Sequence, residues 1–483
     1  MLLTVPLFLA ALPQGTTVSF LPRTDWPLAG SQPQDLALVD LDRDGDLDLV
    51  VPSSADPEPT IKWNNGAGAF PNEESIPSSF PSWGVGTGDF NADGWPDLVF
   101  GDGWNQGTSI EVWYGNPADP ARPILGQVLA GGRFPIAFRS GDLDGDGDPD
   151  LVCANNVLYG LTVFRNQGGL FGAAEHLPNA TGLKARHLEL ADLDDDGDLD
   201  IVLTAYGLFT FLNDGTGHFP QRNWLGGGHA ALAVADFDQD GAEDFVAADL
   251  YSSQAVLSFG DGLGGVRSAV TLSFPDDVTA LHAADLNVDG IPDLVSVHSY
   301  LAQARVRTGH GDGTFHPEQI FHLASQPQTA AAGDLDGNGR PDLVVPDRNL
   351  GRPAPVSVLL NATAFEPWTH LGLGKRGPAG LPLLRGAGPG TAGARVQLQF
   401  SGGPPTGLAV LVAGTARIDL PYLGGTVVPR PDHRFDNLPL DPQGGLVFPL
   451  TLPPSAPPGA RGWFQVWVAS GEAASNGLRI TLG

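Results

Sequence analysis

One eleven-residue pattern, repeated seven times, constrains this chain more than any other feature. The segments DLDRDGDLDLV from Asp40, DFNADGWPDLV from Asp89, DLDGDGDPDLV from Asp142, DLDDDGDLDIV from Asp192, DFDQDGAEDFV from Asp236, DLNVDGIPDLV from Asp285 and DLDGNGRPDLV from Asp334 share one template. It reads Asp, Leu or Phe, Asp or Asn, any, Asp or Asn, Gly, any, any, Asp, then two apolar residues. Successive starts lie 49, 53, 50, 44, 49 and 49 residues apart. Near-constant spacing of this size marks an architecture of stacked, similar units.

Each template follows a strand-like stretch such as DLALV, RHLEL or HAALAVA and runs into a second such as DLVVP or DIVLT. In most repeats a third ends in a turn, as in IKWNNGAGAF, TVFRNQGGLF and TFLNDGTGHF. Alternating apolar positions bounded by Asn-Gly, Asp-Gly and Gly-rich turns read as antiparallel hairpins. With 65 Gly and 43 Pro in 483 residues, long helices are disfavoured. About four strands per unit and seven units predict an all-β chain whose main part is a seven-bladed β-propeller. We place it at 16–368, with a strand near Val18 to Leu21 completing the last blade and closing the ring.

Oxygens at the first, third and fifth positions, a glycine at the sixth and an aspartate at the ninth suit a short loop wrapped around a hard cation. The seventh residue can add its carbonyl. The expected ligands are Asp40, Asp42, Asp44, Asp46 and Asp48 in the first loop, and Asp89, Asn91, Asp93, Trp95 and Asp97 in the second. The third offers Asp142, Asp144, Asp146, Asp148 and Asp150, the fourth Asp192, Asp194, Asp196, Asp198 and Asp200. The fifth offers Asp236, Asp238, Asp240, Ala242 and Asp244, the sixth Asp285, Asn287, Asp289, Ile291 and Asp293. The seventh has Asp334, Asp336, Asn338, Arg340 and Asp342. Calcium accepts 6–8 oxygens, whereas magnesium prefers a stricter octahedron with more water, so up to seven Ca²⁺ are expected. Loops one and three to five carry the most carboxylates; asparagine at Asn91, Asn287 and Asn338 lowers the charge of the others.

An EF-hand reading fails, because that loop needs a glutamate at its twelfth position and flanking helices. Here the twelfth residues are Val51, Phe100, Cys153, Leu203, Ala247, Ser296 and Val345. Turn chemistry alone accounts for one Asp and a Gly, not for three to six acids that would repel one another without a cation.

The DxDxDGxxD pattern at this period resembles the FG-GAP/VCBS repeat family, whose seven-bladed propellers include the head of integrin α subunits. The resemblance covers about three quarters of the chain. It implies Ca²⁺ in the hairpin loops, on one face of the propeller, and an extracellular binding role. Having the motif in all seven blades is closer to secreted microbial members and to certain fungal lectins than to integrins, and nothing here resembles an integrin leg or anchor.

The charge balance follows the loops. Of 55 acids, 30 fall in the seven templates with only two of the 25 Lys and Arg, Arg43 and Arg340; the remaining residues are nearly neutral. The overall charge of −30 argues against nucleic acid or an anionic membrane as partner. A single cysteine, Cys153, excludes an intrachain disulfide and reads as a small buried hydrophobe. Gly388-Pro-Gly390-Thr-Ala-Gly393 satisfies GxGxxG but lacks a βαβ setting, so it reads as a turn. Asn179-Ala-Thr181 and Asn361-Ala-Thr363 match glycosylation sequons. Five of ten tryptophans, Trp63, Trp83, Trp95, Trp104 and Trp113, fall within 51 residues. Trp63 and Trp113 read as blade packing, while Trp95 and Trp104, beside Asp and Asn, are the candidate sugar platform.

At the N-terminus the apolar run Leu2 to Leu12 resembles a secretory signal, so residues 1–15 are expected to be removed. No later stretch is apolar for long enough to span a bilayer, so no membrane insertion is expected. Residues 369–390 read as a Gly/Pro-rich linker and 391–483 as a C-terminal β-sandwich, with Trp463, Gln465 and Trp467 on one face of a central strand and Phe464, Val466 and Val468 on the other. The leading functional expectation is a secreted, monomeric, non-catalytic module that binds an extracellular glycan or protein. The alternatives are a polysaccharide lyase or sugar dehydratase on a similar propeller, which would need a base such as His in a pocket, and a purely structural surface module.

Overall fold

Each template and its flanking strands fold into one four-stranded antiparallel sheet, and seven such sheets follow one another along the chain. In the computed structural model the described residues are 17–363, apart from 31, 104–106, 158, 228–230, 250–251 and 349–353, together with the backbone of ten strands between 368 and 481. Residues 1–16, including the whole of the expected signal, and Trp104 lie outside the described residues.

Blade 1 contains Ala37–Val39, Asp48–Val51, Thr60–Trp63 and Asn72–Ser75, numbered from the inner strand outward. The inner strands of blades 2 to 7 are Ser82–Gly88, Arg133–Gly141, His187–Ala191, Ala231–Ala235, Ala280–Ala284 and Ala331–Gly333. Every inner strand ends one residue before its template, and that residue pairs with the ninth-position aspartate: Val39 with Asp48, Gly88 with Asp97, Gly141 with Asp150, Ala191 with Asp200, Ala235 with Asp244, Ala284 with Asp293 and Gly333 with Asp342. The first eight residues of the template thus form a hairpin loop held in one register seven times. Small residues suit the closing position because space is short there; a Cβ at Gly141 would sit 2.5 Å from the Leu199 side chain.

The second strands are buried along their whole length in blades 1, 4, 5, 6 and 7, as expected for runs such as DLVV and DIVLT. Their side chains fill the spaces between sheets: seven apolar clusters occur among the described residues, one for each interface between neighbouring blades. Cys153 is fully buried in the cluster between blades 2 and 3, and burial pushes its thiol well above the ordinary range, which fits its reading as a hydrophobe.

The ring closes differently in detail from the sequence expectation. The outer strand of blade 7 is Thr24–Pro27, paired with Pro355–Leu359. Val18 to Leu21 continue this edge through a bridge from Phe20 to Asn361, the Leu21 amide on the Leu360 carbonyl at 2.8 Å and the Ala362 amide on the Ser19 carbonyl at 2.7 Å. Pro22, which has no N–H to donate, separates the two pieces, and one extra residue on this strand forms a bulge there. Val18 is buried between blades 6 and 7, and its amide and carbonyl both bond the Gln319 side chain at 2.8 Å.

Beyond the propeller the strands form sheets of five, three and two strands, all antiparallel. Arg461–Val468 is central in the five-stranded sheet, between Leu408–Gly414 and Leu478–Thr481, as its pattern of residues predicts. Trp368–His370 and Leu383–Ala387 also join these sheets, so their pairing draws on the segment expected to be linker. Among the described residues the one helical element is a 3-10 turn at Pro178–Ala180, and no helix is long and apolar enough to cross a membrane.

Candidate metal centres

The seven loops share one internal wiring. The first aspartate accepts the amide of the sixth-position glycine in every loop, at 2.7–3.1 Å. The fifth residue accepts the amide of the seventh in every loop, at 2.8–3.0 Å. These bonds draw the chain around its own side chains, and the glycine adopts φ from 82° to 99°, a region closed to residues with a Cβ. The fourth residue is also left-handed in all seven: Arg43, Ala92, Gly145, Asp195, Gln239, Val288 and Gly337 have φ from 54° to 76°. Among the described residues, five of the eight non-glycine residues with positive φ are at this position, so backbone strain of about 1 kcal/mol each is concentrated in the loops.

The ninth aspartate has a second role that its spacing did not reveal. One carboxylate oxygen accepts a backbone amide from the end of the third strand in every blade, at 2.5–3.0 Å. In six blades the other accepts the amide of the template's second residue, at 2.8–3.1 Å. In blade 3 it takes Arg165 instead, at 2.7 Å. Each ninth aspartate is therefore a clamp between loop and sheet, with lone pairs remaining for a cation. Burial pushes Asp48 and Asp244 up to about 7, Asp97, Asp200 and Asp342 up to about 6, and Asp293 well above the ordinary carboxylate range. A nearby cation would reverse that shift.

Five loops bring three carboxylates within 4.8 Å of one another, close enough to hold a metal ion. Loops 1, 4, 5 and 7 do so with their first, third and ninth residues, and loop 3 with Asp142, Asp144 and Asp146 because Arg165 engages Asp150. Loops 2 and 6 have asparagine at the third position, and the Asn91 and Asn287 amides donate to Asp93 and Asp289 at 3.0 and 3.1 Å. In loop 5 a cation of the chain itself is present: Arg267 pairs with Asp238 and Asp240. Among the described residues, five buried carboxylate oxygens have no hydrogen-bond partner, Asp40 Oδ1, Asp144 Oδ1, Asp192 Oδ1, Asp194 Oδ1 and Asp238 Oδ1. All five belong to first- or third-position residues of these loops, so the donor set fits a hard cation.

Neighbouring loops are riveted together by asparagines that sequence reading treated as turn residues. Asn64, Asn166, Asn213 and Asn361 each donate to a carbonyl in their own loop and to the second-residue carbonyl of the preceding blade's loop, at 2.7–3.1 Å. Asn361 is 2% exposed with both amide hydrogens engaged, so the Asn361-Ala-Thr363 sequon is structural. The Asn179 amide is likewise bound to the Phe219 carbonyl at 2.9 Å.

Of the candidate sugar platform only Trp95 is among the described residues, since Trp104 lies outside them. Trp95 is half-buried, with the Arg43 guanidinium of the first loop 5.4 Å from its ring. Trp113 is packed in the core with its indole N–H on Glu111 at 3.0 Å, and Trp63 lies against the same cluster. The FG-GAP-like repeat model matches residues 40–100, 142–203, 236–296 and 285–345. The chain belongs to the FG-GAP-like repeat family. No curated protein matches it. Among solved structures, this FG-GAP-like propeller is similar to BBS1N in complex with ARL6DN, soaked with mercury, at 13% identity and a TM-score of 0.51, over 72% of this chain and 98% of that one. An Agrocybe aegerita lectin, solved for its recognition of non-reducing terminal N-acetylglucosamine, aligns at 19% identity and a TM-score of 0.49, over 70% and 87% of the two chains. At such identities the likeness is one of fold alone.

Proposed function

We propose that the chain is a secreted, calcium-stabilised propeller that binds an extracellular glycan or protein ligand without transforming it. The observation that carries the calcium part of this reading is the set of partnerless buried carboxylate oxygens in loops 1, 3, 4 and 5. Bound calcium would supply charge neutralisation there, and the first, third and fifth side chains, the seventh carbonyl and the ninth carboxylate would hold it. Seven such ions would reduce the charge of −30 to about −16. Extracellular calcium modules work at dissociation constants of ~10⁻⁴–10⁻³ M, which suits loops whose acids are partly engaged in internal bonds. The apolar run Leu2 to Leu12 supports export.

Thermal melts with and without EDTA test the calcium reading. Each occupied loop adds ~2.7 kcal/mol when calcium is at 100-fold excess over its Kd, so chelation should lower Tm sharply. An unchanged melt would remove calcium from the account.

A further inference from the structure

The shared register allows the seven inner strands to be aligned on the aspartate that opens each loop. Three residues before it, four blades carry Ala37, Gly86, Ala233 and Ala331. The other three carry Arg139, Glu189 and His282. A position that the fold fills four times with Ala or Gly does not require a charged or imidazole side chain. These three groups therefore answer to something other than packing. Five and six residues before the aspartate, nearer the opposite mouth, stand Asp35, His187 and Trp83. All six line one cavity of about 520 Å³ to which every blade contributes, so it lies on the propeller axis, at the end away from the loops.

Its polar groups balance. Arg139 Nε donates to Glu189 at 2.7 Å, Nη2 bonds the other carboxylate oxygen, and Nη1 donates to the Phe138 carbonyl at 2.8 Å. Asp35 accepts the Leu36 and Val85 amides at 2.9 and 3.2 Å, and burial pushes its carboxyl up to about 6. Burial, with Arg139 nearby, pulls His187 down to about 4, and burial does the same to His282. At pH 7 each ring is neutral, one nitrogen donating and the other accepting.

We propose that this axial cavity binds one neutral pyranose unit at the end of a glycan. The proposal rests on the binding-module reading above and gives it a ligand class and a place. Mixed donors and acceptors match hydroxyls, each of which is both. The Arg139–Glu189 pair is self-neutralised, and Asp35 and Arg186, which also line the cavity, are of opposite sign, so no net charge remains to attract an ion; the half-buried Trp83 can cover the apolar face of a sugar ring. The volume lies within the ~300–1,000 Å³ of small-ligand sites.

The test is calorimetric titration of the full chain in calcium with methyl glycosides of glucose, galactose, mannose and N-acetylglucosamine, and with glucuronate as the charged comparator. The expected result is one-to-one binding of at least one neutral glycoside, weakened at least tenfold by His282→Ala and unchanged by Trp224→Ala, which alters an indole 68% exposed on the outer strand of blade 4. His187→Asn gives the same readout where His282→Ala does not fold. Binding that survives both histidine changes but not Trp224→Ala overturns the assignment, as does binding of glucuronate alone. Silence towards every glycoside, from protein whose melt still rises with calcium, defeats the sugar site and leaves the calcium reading standing.

Discussion

The two ends of the inner strands differ in a way that separates architecture from specificity. At the loop end all seven blades repeat the same bonds: glycine amide to first aspartate, seventh amide to fifth side chain, ninth aspartate to the third strand. At the opposite mouth, a few residues along the same strands, the blades diverge into Ala, Gly, Arg, Glu and His. Repetition marks what every blade needs in order to fold its loop against its sheet. Divergence marks positions where the fold tolerates several residues, and where a single ligand could be met by groups from different blades.

The largest test of this contrast is Asp200→Ala. It strands the fully buried amides of Leu193 and Asn213, which the carboxylate now satisfies at 3.0 and 2.7 Å. At ~1–3 kcal/mol for each unsatisfied group, urea unfolding should show a loss of about 4 kcal/mol, present with and without EDTA. Were the loss to vanish in EDTA, the ninth aspartate would be a ligand only, and the clamp would be wrong. Asp194→Asn should behave oppositely. Its Oδ1 has no partner, and desolvation, with Asp196 and Asp192 nearby, pushes its carboxyl above the ordinary range. It should cost up to ~2.7 kcal/mol in saturating calcium and nothing in EDTA. Equal effects in both conditions would mean that the third position does not contact the ion.

The smallest effect belongs to the mouth. The double variant His187→Asn, His282→Asn should unfold within ~0.5 kcal/mol of the parent at pH 7.5, as these rings serve no packing role. Both rings titrate near 4 in the folded state, below the ordinary 6.5, so between those values the unfolded chain holds more protons and acidification destabilises the parent. The variant should lose stability less steeply from pH 6.5 to 4. The surrounding Arg139, Arg186, Glu189 and Asp35 are common to both proteins, and parallel curves would place the histidines in ordinary solvent.

Much of the loop end was legible because its interactions are local. First, third, fifth, sixth and ninth positions fall within nine residues, so oxygen spacing and the glycine show in one line of sequence. The left-handed fourth position was not legible, since Arg43, Ala92, Asp195 and Val288 share no side-chain chemistry; the strain is imposed by bonds on either side of it. The asparagine rivets left a trace in the Asn that precedes each turn in four blades, but their second acceptor lies in another blade, 70 residues away for Asn213. Trp95 shows the same limit: its position in the loop was readable, but Arg43 from the first loop above its ring was not.

Sequence alone determined the unit, the number of units and the charge concentrated in their loops, because a hairpin and its cluster of acids are specified within a dozen consecutive residues. Only the tertiary structure decided which parts of the units meet. Closing seven sheets into a ring brings Arg139 to Glu189 across 50 residues and gathers groups from every blade around one cavity. No local pattern encodes that meeting, since it depends on the ring closing and on the shared register of every inner strand.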